Sequence, residues 1–390
     1  MIYASLQVEN GNIFSMTTEI REVKTSSDWK KFIQFPNLLF KGNPYYIPAL
    51  ISDEKDTLFY DRNPAYSYCE AKFWLAIREG SIVGRIGAII NNKAIKRWKS
   101  NTIRFGWFDF IEDIEVARAL IHETEKYAIS KGLDSIHGPL GFTDMDKECW
   151  VTEGFEYQQN ISTIYNPPYY VEFIKQLGFE IDCEWMQYKM PASQVIPDKV
   201  KRIQSAICER YKVKLLEFKH RKELNPYLRK FFYALNDSFS PLYGFVPLSD
   251  EEIDIYVKKY ISFLDPELVK FVIDEHDDII GFAVAMPSLT SAFQKANGRM
   301  LPMGWYHLLK GLRHYKDIDL LLNGVRPEWH NKGIHSLYHT ALNETAIRKG
   351  LRTAYTNPQI IGNKAVMVWE SQYQCEPTFR RAVFSKKITK

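Results

Sequence analysis

Apolar and polar positions alternate along the chain with two periods, one typical of strands and one typical of helices. In the first half, residues 73–90 alternate on either side of the Glu79–Gly80 pair, which predicts a β-hairpin. Residues 114–132 carry apolar side chains at helical spacing and end in a glycine, which predicts an amphipathic helix. The other elements predicted for this half are a strand at 17–23, a helix that begins near Ser26 or Ser27, strands at 103–110, 133–139 and 183–190, a helix at 167–179 and an irregular segment at 41–68.

The second half repeats this order of elements without repeating the residues themselves. A hairpin pattern surrounds the Asp277–Asp278 pair, a strand pattern covers 318–325, and a helical pattern covers 335–350. The repeated order predicts a mixed α/β sheet that the chain uses twice, in domains over residues 17–190 and 199–390. The other elements predicted for the second half are helices at 222–238, 249–264 and 363–373 and strands at 351–356 and 378–386.

The composition is that of a large globular protein without a strong charge preference. The 390 residues exceed one ordinary core, which favours two domains. The 51 basic and 47 acidic residues leave a formal net charge of +4, too small to favour a nucleic-acid partner. Five scattered cysteines, none of them in a C-x-x-C pair, favour reduced thiols over a disulfide framework or a zinc ribbon.

No segment of the sequence is expected to cross a membrane or to direct export. No apolar run approaches the ~20 residues that a spanning helix needs. Residues 1–15 lack the basic start and the long apolar core of a signal peptide, and Met16 opens a cleaner start. We therefore expect a cytoplasmic protein.

The turn after strand 318–325, VRPEWHNKGIH at residues 325–335, has the features of an anion site. A strand that turns into a helix directs unpaired N–H groups and the positive end of the helix dipole at whatever lies above them. Gly333 leaves room for a ligand beside the backbone, and Lys332 adds a positive charge. These features predict a pyrophosphate site, although the spacing matches neither a Walker loop nor a dinucleotide fingerprint.

The same stretch resembles the loop of the GCN5-related N-acetyltransferase (GNAT) superfamily, an apolar strand followed by V-x-P-x-[YW] and then by [QR]-x-x-G-x-[GA] at the start of a helix. Two positions depart from this pattern, His330 in place of glutamine or arginine and His335 in place of a small residue. Residues 363–373, NKAVMVWESQY, resemble the helix N-x-x-A-x-x-x-Y-E with a shift of one residue, so that Trp369 stands where a tyrosine often acts as general acid. The residues that fall on the loop pattern are Val325, Pro327, Trp329, His330 and Gly333.

The resemblance implies a cofactor cleft between two strands of the second half. In this superfamily the fourth and fifth strands splay apart, and the pantetheine arm passes between them beside a bulge in the fourth strand. The local candidates for this bulge are Leu321, Leu322, Asn323 and Gly324. The resemblance thus implies acetyl-CoA or a longer acyl-CoA as co-substrate. The residues implied to hold it are Leu322, Asn323, Gly324, Val325, His330, Asn331, Lys332, Gly333, Ile334, His335 and Asn363.

Further segments extend the resemblance over most of residues 40–385. They occur in the order found in a bacterial family with two acetyltransferase-like halves in one chain, which implies two tandem GNAT-like acyl-CoA N-acyltransferase domains. The first half carries IEDIE at 111–115 where the loop would stand, and acidic side chains repel a pyrophosphate. We therefore expect a degenerate first domain that shapes the acceptor pocket. The segments are NPYYIPAL, YDRNPAY, EGSIVGRIGAI, HGPLGF, EGFE, IYNPPYY and ANGRMLPMGWYHLL.

Four side chains are candidates for the proton transfers that accompany attack of an amine on a thioester. Asp319, His330 and Glu370 are candidate bases, and Tyr373 is a candidate acid. None has a spacing that proves a role, and solvation of a strand edge or a helix face is the simpler interpretation of each.

His335 and His339 stand four residues apart on a predicted helix, as pairs of zinc ligands do. Ser336 stands where the catalytic glutamate of such motifs would follow, and the sequence offers no third ligand nearby. We therefore predict no metal, and a zinc-dependent hydrolase is the weakest alternative.

An insertion at residues 300–315, MLPMGWYHLLKGLRHY, precedes strand 318–325. Its apolar residues follow helical spacing, which predicts either a core helix or a lid over a long apolar chain, and leaves peripheral membrane contact open. The apolar stripe is Trp305, Leu308, Leu309 and Leu312, the polar residues beside it are His307, Lys310, Arg313 and His314, and the basic tail is Arg380, Arg381, Lys386, Lys387 and Lys390.

Two functions from different classes follow. The first is a CoA-dependent N-acyltransferase that works through a ternary complex, with a small-molecule or lipid-like amine as acceptor; long-chain acyl transfer to a sphingoid-type amine is its variant. The second is a catalytically inactive GNAT-like binding protein, which the departures at His330 and Trp369 favour. The intact Pro327 and Gly333 favour the enzyme. The sequence leaves the acceptor, the acyl length and the oligomeric state open.

Overall fold

The computed structural model describes residues 18–192, 198–261, 263–362 and 374–388. Within them the chain forms strands β1 to β14. These are Glu19–Glu22, Cys69–Arg78, Ser81–Asn91, Thr102–Phe110, Ser135–Gly138, Trp150–Glu153, Glu180–Pro191, Lys214–Glu217, Val269–Ile273, Ile279–Pro287, Asp317–Val325, Thr353–Thr356, Gln359–Ile360 and Glu376–Lys387.

The helices α1 to α12 connect these strands and cover both faces of the sheet. Helix α4 packs on β2, β3 and β4, and α12 packs on β9 and β10, while α1 and α8 lie on the opposite face of their halves. The helices are Ser26–Leu39, Ile51–Leu58, Asn92–Trp98, Ile114–Ser130, Pro168–Gln176, Asp198–Tyr211, Arg221–Leu224, Leu228–Phe239, Asp250–Tyr260, Thr290–Ala296, Gly304–Arg313 and Ile334–Lys349.

One continuous sheet joins the two halves of the chain. Its strand order is β1-β2-β3-β4-β5-β14-β7-β12-β11-β10-β9-β8, with β6 on β14 and β13 on β7. The last strand of the chain, β14, therefore pairs with β5 of the first half, and β7 pairs with β12 of the second half. Each half is completed by a strand from the other half.

The predicted splay and bulge are present in the second half. Strands β11 and β12 run parallel and pair only from Asp317 to Leu320, after which they separate. On the other side of β11, Val284 pairs with Leu322 and Ala285 with Leu320, so that Leu321 is an extra, bulged residue.

The first half shows the same arrangement. Strands β4 and β5 pair only from Thr102 to Arg104. Arg85 of β3 pairs with Asp109 of β4, and Gly87 pairs with Gly106. Two residues of β4 therefore stand opposite the single residue between Arg85 and Gly87, which makes a β-bulge in β4. The likeness of the halves therefore lies in backbone geometry.

Most predicted elements are confirmed, and the corrections have local reasons. Helix α1 is capped by Thr25, one residue before the predicted Ser26, because the Thr25 hydroxyl accepts the N–H of Asp28 at 3.1 Å while the Asp28 carboxylate accepts the N–H of Thr25. The segment 41–68 contains helix α2 and was wrongly predicted as irregular throughout. Helices α3, α6 and α10 and strands β6, β8 and β13 were not predicted. The helix predicted at 363–373 lies outside the described residues.

Candidate active site

The turn from β11 to α12 leads through Gly333 into the N-terminus of α12. Pro327–Trp329 form a short 3₁₀ turn, and α12 begins at Ile334, one residue before the predicted start. Gly333 precedes the helix with φ 76°, a left-handed conformation that favours glycine. The first N–H groups of a helix have no partner within it, so this terminus is suited to an anion.

Side chains of the loop hold each other in place. The Lys332 ammonium nitrogen lies 4.3 Å from the centre of the Trp329 ring, a cation–π contact. The Nε2 atom of His330 lies 2.9 Å from the carbonyl oxygen of Val325, and the ring is exposed. The histidine that departs from the family pattern therefore links the two ends of the 3₁₀ turn.

Gly333 and Gly324 have packing roles that the sequence did not indicate. A Cβ atom on Gly333 would lie 2.7 Å from Cδ1 of Ile207 in α6. A Cβ atom on Gly324 would lie 2.7 Å from the ring of Phe282. Helix α6 docks here because the Gln204 side-chain amide donates to the carbonyl oxygen of Ser336 at 2.7 Å. The room at Gly333 is thus partly taken by α6, which corrects the expectation that it serves a ligand alone.

The cleft beside β11 is bounded by a side chain from the end of β12. The Asn357 amide nitrogen Nδ2 donates to the carbonyl oxygen of Leu321 at 3.0 Å, and the Asn357 backbone N–H donates to that of Leu320 at 3.1 Å. Asn323 and Gly324 pair with β10 on one edge, and β12 ends before it reaches their other edge. This free edge is where a pantetheine arm would find backbone partners.

Asp319 is a fully buried carboxylate on β11, and neither of its oxygens makes a hydrogen bond by geometry. Burial raises the pKa of Asp319 to about 7, and the negative charge of the nearby Asp317 adds to this rise. Six residues of strand separate Asp319 from Val325, roughly 20 Å at about 3.3 Å per residue. The structure therefore does not bring the candidate bases Asp319 and His330 together.

Replacement of Asp319 by asparagine is expected to remove a pH-dependent loss of stability. The unfolded carboxyl loses its proton near pH 4, whereas the folded one keeps it until about pH 7, so folding stability falls as the pH rises between these values. The loss is on the order of 4 kcal/mol from the size of the shift. Urea unfolding at pH 5 and pH 8 should show a smaller decrease in the variant than in the wild type. The control is Asp61→Asn at an exposed carboxylate, and equal decreases in wild type and Asp319→Asn would contradict the assignment.

A cavity of about 670 Å³ lies between the two halves and touches β11 at the bulged residue Leu321. This volume is within the range of about 300–1,000 Å³ for small-molecule pockets. The bulge of the first half borders the same cavity through Trp107 and Phe108. Other apolar side chains in its wall are Ile33, Phe40, Ile47, Leu50, Trp150, Ile161 and Ile164 from the first half and Phe263, Met286 and Phe293 from the second.

Charged side chains also line this cavity, and they were not among the residues predicted from the sequence. The Asp146 carboxylate accepts the N–H of Phe142 at 2.8 Å, and burial nevertheless raises the pKa of Asp146 to about 6. Glu54 accepts the indole N–H of Trp107 at 3.0 Å. The signal in the sequence was the run DMDKE at 144–148, which places four charged residues in the loop between β5 and β6.

The N-terminus of helix α4, the counterpart of the loop in the first half, is already occupied. The Asp113 carboxylate caps it by accepting the N–H of Glu115 at 2.9 Å and also pairs with Arg78 at 2.7 Å. A phosphate at this end would meet the negative charge of Asp113. This geometry supports the expectation that the first half holds no acyl-CoA.

The histidine pair on α12 is set up for a structural role. Burial lowers the pKa of His335 and lowers that of His339 to about 3, so both rings are neutral at physiological pH. No group of three histidine, cysteine or acidic side chains that could hold a metal ion exists among the described residues. Within the same residues, no helix is long and apolar enough to cross a membrane.

Part of the predicted site lies outside the described residues. Asn363, Trp369, Glu370 and Tyr373 all belong to this part, so their assignments stay predictions. The remaining cofactor candidates, from Leu322 to Val325 and from His330 to His335, lie along one strand–turn–helix unit.

Comparisons with known proteins bear on this geometry. No family model matches the sequence. Among curated proteins, Protein YghO of Escherichia coli (strain K12) is 26% identical over 332 residues, 84% of this chain and 84% of that protein. A bacterial ceramide synthase of Caulobacter vibrioides is 25% identical over 312 residues, 79% of this chain and 80% of that protein.

Solved structures decide the fold. A tandem GNAT protein from the clavulanic acid biosynthesis pathway superposes with a TM-score of 0.54 at 11% identity, over 96% of this chain and 99% of that one. The chain has a tandem GNAT-like fold. A GCN5-related N-acetyltransferase from Sphaerobacter thermophilus gives a TM-score of 0.50 at 11% identity, over 96% of each chain. The tandem GNAT-like fold confirms the predicted fold class and the resemblance. Because this fold contains two GNAT-like domains in one chain, both halves carry a splay and a bulge.

Proposed function

We propose that this protein is an acyl-CoA-dependent N-acyltransferase that transfers an acyl group to an amine with a long apolar chain. The observation that carries the proposal is the position of the cavity: it opens onto β11 at Leu321, the bulge at the head of the cleft that ends in the 330–335 loop. A tandem GNAT-like fold and the likeness to a bacterial ceramide synthase support acyl transfer to an amine.

The second half supplies the residues for the acyl donor. Pyrophosphate would lie at the N-terminus of α12, where the unpaired N–H groups and Lys332 offer positive charge. The pantetheine arm would run along the free edge of β11 toward Leu321. The thioester would then stand at the mouth of the cavity.

The cavity supplies the site for the acceptor. Its apolar walls suit a hydrocarbon chain, and an amine that must lose a proton before attack needs an acidic neighbour. Asp146, with a pKa of about 6, is ionised above that pH and can attract an ammonium group and accept its proton. Glu54 stands in the same wall. The amine nitrogen then attacks the thioester carbonyl carbon, and the C–S bond breaks. The proton that the nitrogen loses as the amide forms goes to the departing sulfur, so that CoA leaves as the thiol.

A catalytically inactive binding protein is the second candidate. The contacts of the loop favour it, since His330 contacts the carbonyl oxygen of Val325 and Ile207 of α6 lies against Gly333. These contacts bring protein atoms close to the expected phosphate position. Such a protein would bind the thioester or the amine and release no thiol.

Filling the cavity tests the proposal. Ala49 lines the cavity, and Ala49→Trp is expected to lower kcat/KM for a long-chain amine such as sphinganine by about tenfold or more, because the indole occupies space that the chain needs. Binding of acetyl-CoA should be unchanged, since Ala49 lies outside the loop. The assay follows thiol release and detects the amide by mass spectrometry.

The control is Ala49→Ser, which keeps the cavity open. If the wild type releases no thiol with sphinganine or with shorter amines, acyl transfer is wrong and the inactive binding protein stands. If Ala49→Trp works as well as the wild type, the acceptor lies elsewhere.

A further inference from the structure

Helix α11 and the turn before it expose a cluster of large apolar side chains, here called the α11 outer face. Leu301 is 74% exposed, Trp305 45% and Leu309 43%. Trp305 and Leu309 are four residues apart and so lie on one side of the helix. The α11 outer face consists of Leu301, Met303, Trp305, Tyr306 and Leu309.

The neighbouring flank of the same helix packs into the protein core. Leu308 is 3% exposed and packs with Ile47 and Leu50, and Leu312 packs against the same cluster. The predicted stripe is therefore split, since Leu308 and Leu312 are core residues while Trp305 and Leu309 face outward. Packing in the core explains why Leu308 and Leu312 are apolar, but it does not explain why Trp305 and Leu309 are.

The helix pair α10–α11 is held firmly against the first half. The backbone N–H of Ile51 donates to the carbonyl oxygen of Gly298 at 3.0 Å, and the Gln294 side chain donates to that of Pro44 at 2.7 Å. Phe293 of α10 lines the cavity. The α11 outer face is thus a fixed surface, one helix layer from the cavity wall.

The charged side chains of the chain segment that carries this face have one sign. From Ile279 to Lys316 the sequence contains no aspartate or glutamate. Basic side chains on this stretch are exposed, and none of them forms an ion pair with a carboxylate in the described part of the chain. These cations are Lys295, Arg299, Lys310, Arg313 and Lys316.

We propose that the α11 outer face docks the protein on a bilayer that contains anionic lipid. Exposed Trp, Leu and Met side chains next to Lys and Arg are the composition of helices that lie in a membrane interface. The cations attract anionic headgroups, and the apolar side chains enter the boundary below them. A protein partner would need an acidic and apolar groove of matching shape, whereas a bilayer needs charge and apolar area alone.

Vesicle sedimentation tests this directly, with the full chain and with no acyl donor or acceptor present. The wild type is expected to pellet with phosphatidylglycerol vesicles and to stay in solution with phosphatidylcholine vesicles. The double variant Trp305→Ser, Leu309→Ser and the double variant Lys310→Glu, Arg313→Glu should each lower the partition coefficient by about tenfold or more. Added salt should weaken binding of the wild type.

Matched controls lie on the far helices of the first half. Ile129 is 47% exposed on α4, and Lys175 is exposed on α5, so Ile129→Ser and Lys175→Glu should bind vesicles as the wild type does. The proposal is overturned if the wild type ignores anionic vesicles, or if the face variants and the controls bind equally. It is also overturned if light scattering shows that the face variants lose a dimer, since a second copy then covers the face. Because lipid binding is measured without the acyl-transfer reaction, a negative result would not contradict the proposed transferase function.

Discussion

Replacing Lys332 with glutamate is expected to raise the dissociation constant for acetyl-CoA by about tenfold or more. The substitution puts a negative charge beside the N-terminus of α12, where the proposed pyrophosphate meets unpaired N–H groups, and a lost or reversed charged hydrogen bond costs about 1.5–3 kcal/mol. The reversal also removes the contact with Trp329, which contributes about 0.5–1 kcal/mol at an exposed site. Titration calorimetry at low salt is the measurement.

Two controls separate charge from packing. Lys332→Met keeps an apolar side chain over Trp329 without a charge and should fall between the wild type and the glutamate variant. Lys175→Glu makes the same change of net charge on α5, far along the chain from the loop, and should leave the dissociation constant unchanged. An unchanged constant in Lys332→Glu would place the acyl donor away from this loop. Lys332→Glu is a better probe than a substitution of Gly333, because a side chain there collides with Ile207.

Cutting the chain between residues 192 and 198 is expected to abolish independent folding of both pieces. The exchanged strands are the reason: the first piece loses β14, the neighbour of both β5 and β7, and the second piece loses β7, the neighbour of both β12 and β14. Separately produced pieces should be insoluble or lack a cooperative unfolding transition by circular dichroism. Produced together, they should form a soluble complex, because the strand pairing does not depend on the link between them.

Arg381 shows how closely the exchanged strands are joined. Its fully buried guanidinium donates to the Gln187 side-chain oxygen at 2.6 Å and to the carbonyl oxygen of Ile164 at 2.9 Å. Removing one piece would leave these groups without partners in the interior. If either piece alone unfolds cooperatively, the domain limits 17–190 and 199–390 describe independent units and the exchange is not needed for folding.

Local patterns in the sequence were sufficient for the elements and for the loop. The hairpin at Glu79–Gly80, the helix that ends at Gly132 and the loop at 325–335 each depend on residues near one another, so periodicity and turn chemistry predict them. The resemblance to the superfamily also predicted a bulge in β11, and it lies at Leu321, the first of four candidate residues.

Features that join distant segments could not be predicted. The pairing of β7 with β14 connects strands almost two hundred residues apart, and the alternation within each strand carries no mark of its partner. Ile207 reaches Gly333 from a helix whose sequence is largely polar, so α6 gave no clear pattern. The cavity carboxylates Glu54 and Asp146 come from a segment predicted as irregular and from a loop, and they meet only in the fold.

The central claim is that one acyl-CoA binds per chain, on the second half alone. Titration calorimetry of the wild type with acetyl-CoA and with palmitoyl-CoA tests it most directly, through the stoichiometry. We expect one site per chain for both thioesters, with tighter binding of palmitoyl-CoA, because its chain can enter the cavity beside Leu321. Two sites per chain, or no binding of either thioester, would contradict it.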